Sequence, residues 1–264
     1  MWIDFLLIII LGLCLGSFFN VLIYRWSNRL SIFSPIFSFC PHCKNPIKWY
    51  YNLPIISYLW LKGKCKICKK PISPFYPLVE FLTSFLFLIS YLYFKKYSFF
   101  TFLGFSFFVL ILIPITFIDL KIREIPDKLS LVLIGWGWIF SLTGFNFLLD
   151  FKTSLISSLA GIGLLFLINE FYYQFSKREG IGMGDFKLMG GIGAFLGFES
   201  FFSIIFLASL SGVLAFLGFY LLNKIFKGKE NKLEFKTEIP FGPFLSLASL
   251  VYLFGFKIEK ILFL

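Results

Sequence analysis

Two acids and four cysteines stand out in this sequence as residues that could do chemistry. Asp119 follows the largely apolar run Ile113-Pro114-Ile115-Thr116-Phe117-Ile118, and Asp185 closes Gly180-Ile181-Gly182-Met183-Gly184-Asp185. A carboxylate at the end of an apolar stretch that enters a bilayer is costly and marks function by default. Two such groups at one partly desolvated place cannot both ionise cheaply, so one keeps a proton and the pair titrates as a unit. The ionised member can then take a proton from water while the neutral member donates to a peptide carbonyl, which is aspartic-protease chemistry. Singly, each acid has an ordinary use: Asp119 could pair with Lys121 or Arg123, and Asp185 could cap a helix N-terminus. Together, beside Gly182 and Gly184, they favour catalysis.

Other polar groups near the pair read as supporting. Asp127, after Pro126, suits a turn or a helix N-cap. Lys187, two residues past Asp185, either biases the ionisation of the pair or extends its head to the surface. Glu170, inside an apolar run, reads as a buried hydrogen-bonded or access-path acid. The glycines at 182 and 184 would let the chain bend or open where an extended peptide must enter, and such backbone is tolerated only when buried or facing a wet cavity.

The cysteines form two C-x2-C knuckles, Cys40-Pro41-His42-Cys43 and Cys65-Lys66-Ile67-Cys68, with 21 residues between them. Each knuckle offers half of a tetrahedral thiolate site, at a separation slightly beyond that of common zinc ribbons. On a reducing cytoplasmic face structural zinc is favoured over paired disulfides, and the flanking lysines offset the thiolate charge. His42 is the sole histidine and is not expected to displace a thiol. Cys14, in an apolar run, reads as a small core residue.

The elements that must position these groups are membrane helices. Of 264 residues, 58% are hydrophobic, 22% aromatic and only 15% charged. Soluble domains carry about 25% charged residues, so a soluble enzyme and a disordered chain are both excluded. The apolar runs are continuous, which excludes a β-barrel's alternating strands. Eight spans are expected, at 5–24, 76–94, 99–118, 129–149, 153–175, 187–199, 201–222 and 240–262. Gly12 and Gly16 give the first a small-xxx-small face, and Gly190, Gly191, Gly193 and Gly197 make the sixth short and flexible. The chain thus divides into a first helix at 1–24, a four-cysteine segment at 25–75 that needs a staple, and a seven-helix part at 76–264.

The net charge of +11 is better explained by basic cytoplasmic loops facing membrane lipid than by nucleic acid, since no basic stretch outside a span is interleaved with stacking aromatics. With the cysteine segment cytoplasmic, that side holds twenty Lys and Arg and the opposite side five, Lys95, Lys96, Lys152, Lys257 and Lys260. Both termini are then outside, and Asp119 and Asp185, 66 positions apart, lie at the same face. The N-terminus, with Asp4 in place of a basic region, does not read as a cleavable signal.

These residues resemble the type IV prepilin peptidases, bifunctional leader peptidase/N-methyltransferases of the GxGD class of membrane aspartyl proteases. The resemblance rests on Gly16-Ser17-Phe18-Phe19-Asn20-Val21-Leu22-Ile23-Tyr24-Arg25, the double knuckle with Asn52-Leu53-Pro54-Ile55-Ile56-Ser57-Tyr58 between its halves, and Tyr76-Pro77-Leu78-Val79-Glu80. It continues through Ile118-Asp119-Leu120-Lys121-Ile122-Arg123-Glu124-Ile125-Pro126-Asp127, Gly182-Met183-Gly184-Asp185 and Pro240-Phe241-Gly242-Pro243-Phe244. It implies that Asp119 and Asp185 are the catalytic pair in a bacterial inner membrane. It also implies cleavage, after Gly, of the short basic leader of prepilins or pseudopilins, for pili, secretion or DNA uptake. The new N-terminal residue would then be methylated from S-adenosylmethionine, for which no nucleotide loop is visible. Two other classes compete: an ion-coupled transporter whose acids line a path, against which no inverted repeat is found, and a non-catalytic scaffold of a pilus or secretion machine. The oligomeric state and the pilin served are not written in the sequence.

Overall fold

A computed structural model of the chain describes residues 2–32, 34–35, 37–177, 180–226 and 240–256. Its elements are α1 (Trp2–Ser27), α2 (Ile56–Trp60), α3 (Phe75–Phe94), α4 (Phe99–Ile122), α5 (Asp127–Leu142), α6 (Phe151–Ser176), α7 (Met183–Leu196), α8 (Phe201–Phe226) and α9 (Gly242–Val251). No strand occurs among the described residues, only the isolated bridges Phe39–Pro46 and Lys64–Pro71. The all-helical architecture is as expected, with the cysteine segment between the first two long helices.

Among the described residues, five stretches are long and apolar enough to cross a membrane: Trp2–Ser27, Phe75–Phe94, Phe99–Ile122, Phe151–Ser176 and Phe198–Leu221. The count of eight is not confirmed. At 1.5 Å per residue, α5 and α7 reach only about 24 and 21 Å, against a hydrocarbon core of about 30 Å. The expected span 129–149 ends early because Gly144, at φ 74°, turns the chain, and Asn146 then bonds to Ser141 Oγ and to the Leu148 N–H. Residues 257–262 of the expected last span, and the topological charges Arg178, Lys227, Lys229, Lys232, Lys236, Lys257 and Lys260, lie outside the described residues, as do Glu179, Glu230, Glu234, Glu238 and Glu259.

The chain divides into two compact units, Met1–Ile118 and Asp119–Leu264. In the first, α1 lies along α3 at backbone contact. A Cβ on Gly12 would come within 2.6 Å of Ser84 Cα, and one on Gly16 within 2.6 Å of Glu80 Cα, so the small-xxx-small face is used for close approach. Ser84 Oγ donates to the Ile9 carbonyl across this seam. Cys14 is exposed rather than a core residue, because the packed stripe of α1 runs through Gly12, Gly16 and Asn20 and Cys14 falls off it. Further along, Phe94 of α3 stacks on Phe105 of α4 with centroids 4.5 Å apart.

Polar groups tie the cysteine segment to this helix pair. Asn20 Nδ2 donates to the Tyr76 carbonyl and, at 3.4 Å, to Glu80 Oε1, while Glu80 Oε2 accepts the Ile55 N–H at 2.7 Å. Ile55 sits at φ 58°, a region that a β-branched residue occupies only when its surroundings impose it. Arg25, 3% exposed, points into main-chain carbonyls, among them those of Ile32 and Pro35, and folds the chain leaving α1 back over the helix end.

In the second unit α7 is the central helix, flanked by α5 and α6. The serine-lined face of α6 (Ser154, Ser157, Ser158, Gly161, Leu165) is buried, and Ser154 Oγ donates to the Ala194 carbonyl of α7. The glycines at 190, 191 and 193 of α7 are points of close packing. Cβ atoms on Gly190, Gly191 and Gly193 would collide with Ile162, Leu133 and the Ser157 carbonyl, so these residues exist to admit neighbours.

Replacing Gly16 with Val should separate α1 from α3. The colliding atom is backbone and cannot swing aside, so the expected loss is about 1–3 kcal/mol. The purified protein's thermal unfolding, compared with wild type, measures it.

Candidate active site and cysteine cluster

Asp119 lies in the last turn of α4, in sequence just before Lys121 and Arg123, yet its carboxylate turns inward and is 4% exposed. The helix ends because Arg123 adopts φ 57° and returns its N–H to the Asp119 carbonyl, a left-handed C-terminal turn. Asp119 Oδ2 accepts the backbone N–H of Gly242, at the start of α9, at 3.1 Å. A Cβ on Gly242 would stand 2.6 Å from that oxygen, so only glycine lets the amide come so near. Local pairing of Asp119 with Lys121 or Arg123 is thus replaced by a backbone donor 123 residues away.

Asp185 stands in the first turn of α7, whose N-cap is Gly182. It is 8% exposed, and Oδ1 is buried with no hydrogen-bond partner among the described residues. The Gly182 N–H acts on this carboxylate, as an acid at the third helical position can reach back to the cap, and the charge of Asp119 acts on it as well. The two acids therefore meet at the C-terminal end of α4 and the N-terminal end of α7, close enough to repel.

Ile125, in the turn between α4 and α5, wedges this arrangement together. A Cβ on Gly184 would be 2.8 Å from Ile125 Cβ, and one on Gly242 would be 2.8 Å from Ile125 Cδ1. Gly184 thus serves close packing. Gly182 has no such collision, its nearest neighbour being Asp185 Oδ2 at 3.5 Å. The strand of chain leading to Gly182 is held by Asn169 of α6, whose Oδ1 accepts the N–H groups of Gly180 and Ile181 at 2.9 and 3.0 Å.

Lys187 and Asp127 find each other. Lys187 Nζ lies 2.7 Å from Asp127 Oδ1, joining the second turn of α7 to the first turn of α5. Asp127 is the first residue of α5, Pro126 holds the cap position, and no side-chain cap bond forms. Glu170 is exposed, not buried: the packed stripe of α6 runs through Gly161 and Leu165, and Glu170 lies off it.

Sequence reasoning gave no role to Asn169, Ile125 or Gly242. The Pro240–Phe244 block was visible as a pattern, but nothing local says that the amide of Gly242 serves Asp119.

The sulfurs of Cys40, Cys43, Cys65 and Cys68 all lie within 4.8 Å of one another, a cluster that could hold a metal ion. Tetrahedral thiolates at a zinc–sulfur distance of about 2.3 Å would be about 3.8 Å apart, and Cys40 Sγ lies 4.0 Å from Cys68 Sγ. His42 is exposed and outside the cluster. The knuckles repeat one construction. Lys44 N bonds to the Cys40 carbonyl and Lys69 N to that of Cys65, while Lys44 and Lys69 take φ 59° and 57°. Main-chain N–H groups consequently aim at sulfur: that of Asn45 lowers the Cys43 pKa, and those of Cys68 and Ile67 lower Cys65 to about 7. Such donors favour thiolate, the form a metal binds, whereas at Cys68 the Lys70 N–H is outweighed by burial and the three neighbouring thiols, which push its pKa up to about 11.

A helical membrane chain with a pair of buried acids at two helix ends and a four-thiol cluster defines the class. Comparison with known proteins narrows it. The Bacterial Peptidase A24 N-terminal domain matches residues 10–94, and the Type IV leader peptidase family matches residues 106–217. A prepilin leader peptidase/N-methyltransferase of Aeromonas hydrophila is 33% identical over 275 residues, covering 96% of this chain and 91% of its own. Proteins of the same description from Neisseria gonorrhoeae and Legionella pneumophila are 34% and 32% identical, covering 90% and 96% of this chain and 86% and 92% of their own. No solved structure matches. The chain belongs to the prepilin leader peptidase/N-methyltransferase family.

Substituting Cys40 or Cys68 with Ser should strip the cluster of metal and loosen residues 38–72. Metal analysis of purified protein, with thiol titration, reads both; a metal-free wild type with oxidised thiols would refute the expectation.

Proposed function

We propose that this chain is an aspartyl endopeptidase of the bacterial inner membrane that removes the short basic leader of prepilins or pseudopilins, cutting after Gly. Asp119 and Asp185 are the catalytic pair. The observation that carries the reading is their meeting: two buried carboxylates from distant parts of the sequence, one with an oxygen that has no partner among the described residues, in a chain of this family.

The chemistry needs both acids. With one proton shared, the ionised carboxylate takes a proton from water, whose oxygen attacks the scissile carbonyl carbon as the other acid protonates the carbonyl oxygen. The tetrahedral diol then collapses: one of its hydroxyls returns a proton to the second acid, the carbon–nitrogen bond breaks, and the proton held by the first acid goes to the leaving amine. The Gly242 amide holds Asp119 in place, Ile125 and Gly184 fix the turn against α7, and the Lys187–Asp127 pair secures the two helix starts. A prepilin is an apolar helix with a basic leader, so its scissile bond falls at the depth where an acid ends a membrane span. Charge bias supports an active site and cysteine segment on the cytoplasmic face with both termini outside.

Zinc is the metal we assign to Cys40, Cys43, Cys65 and Cys68, in a structural role that closes the loop between the knuckles. Methylation of the new N-terminus from S-adenosylmethionine follows from family membership and is assigned to no residue.

Asp119→Asn and Asp185→Asn should each lower cleavage of a synthetic prepilin N-terminal segment by roughly a thousandfold or more while the protein still accumulates; retained cleavage in either would refute the pair. Gly242→Ala should displace the Asp119 carboxylate and lower kcat by roughly tenfold to a hundredfold, with KM little changed. Mass analysis of the product with and without S-adenosylmethionine reads the methylation.

A further inference from the structure

The cysteine segment carries a surface that peptide cleavage does not explain. Between Arg25 and Phe75 the chain has nine Lys and Arg and not one Asp or Glu. The short helix α2 turns Ile56, Leu59 and Trp60 outward, at 59%, 69% and 67% exposure. These lie at i, i+3 and i+4, one stripe of the helix. The other side of α2 is held inward: Ser57 is buried and donates to the Tyr50 carbonyl, and Tyr58 lies against Gly63. The apolar stripe is therefore presented by the fold.

Trp60 also borders a cavity of about 240 Å³ whose wall includes Lys62, Lys64, Lys66 and Lys69. On its other flank Trp60 meets Tyr51, with rings 6.3 Å apart, and Tyr51 continues into Tyr50 and the exposed Trp49. An apolar and aromatic stripe beside a lysine-lined cavity is the composition of a surface that lies in a lipid interface.

We infer that the four-cysteine segment seats on anionic phospholipid, with Ile56, Leu59 and Trp60 at the headgroup–acyl boundary and the lysines around the cavity taking headgroup phosphates. Two observations select this occupant. The charge is unbalanced by any acid in the segment, which favours an anionic surface. The segment is also tethered at both ends, by α1 and α3, to stretches long enough to cross a bilayer, so the stripe cannot lie far from one. A basic leader, the substrate proposed above, would be repelled by this face. The inference needs only the membrane helices and not the cleavage reaction.

The test uses the full chain in lipid nanodiscs. The emission of wild type minus that of Trp60→Phe isolates Trp60, which is then challenged with phosphatidylglycerol or phosphatidylcholine brominated near the headgroup end of the acyl chain. Trp60 should be quenched, roughly twofold more by the anionic lipid, and salt should erase that difference. Lys64→Gln with Lys66→Gln should erase it too; Lys62 and Lys69, at positive φ, stay in place. Leu59→Ser should weaken quenching by both lipids. Absence of quenching, equal quenching by the two lipids at low salt, or protection of Trp60 by a prepilin peptide would each overturn the inference. Prepilin cleavage in the same discs reports separately on the peptidase proposal.

Discussion

Asp185 stands where it does because α7 can lie within backbone contact of α5 and α6. Gly190 and Gly193 let the main chain of α6 approach, Gly191 admits Leu133, and Gly137 of α5 leaves room for Ala194. Any larger side chain at these points would push α7 outward and carry its first turn with it. The same device recurs at the ends of the elements, where Gly184 and Gly242 close on Ile125. Position at this site is set by the absence of side chains as much as by their presence.

That logic explains which parts of the site were legible in the sequence. Asp119 and Asp185 were visible because a charge at the end of an apolar run needs a reason, and the knuckles because C-x2-C spacing has few other uses. The spacing of Gly12 and Gly16 marks a close-packing face on α1, and the structure supplies α3 as its partner. The glycines of α7 were visible too, but composition alone does not separate a glycine that bends from one that packs. Only the neighbours of Gly190, Gly191 and Gly193 decide it.

The remainder depended on tertiary context. Asn169 is an ordinary polar residue in an apolar helix until the N–H groups of Gly180 and Ile181 reach it. Gly242 supplies a main-chain donor, which no side-chain pattern reveals. Glu170 and Cys14 were read as inward because their runs are apolar throughout, leaving no amphipathic stripe to give each helix a rotation. The expected span 129–149 runs too long for a related reason: hydropathy continues through Phe145–Leu149, whereas Gly144 and Asn146 have already ended the helix.

Glu80 has a wider reach than its single position in α3 suggests. Its two oxygens bind Asn20 of α1 and the main chain at Ile55, so one carboxylate joins the helix pair to the linker between the knuckles. Because Ile55 occupies a conformation it would leave if released, disorder in the linker and loss of this carboxylate amount to one event. The cysteine segment and the α1–α3 pair should consequently melt together, a single cooperative block in which damage at the sulfurs is felt inside the bilayer.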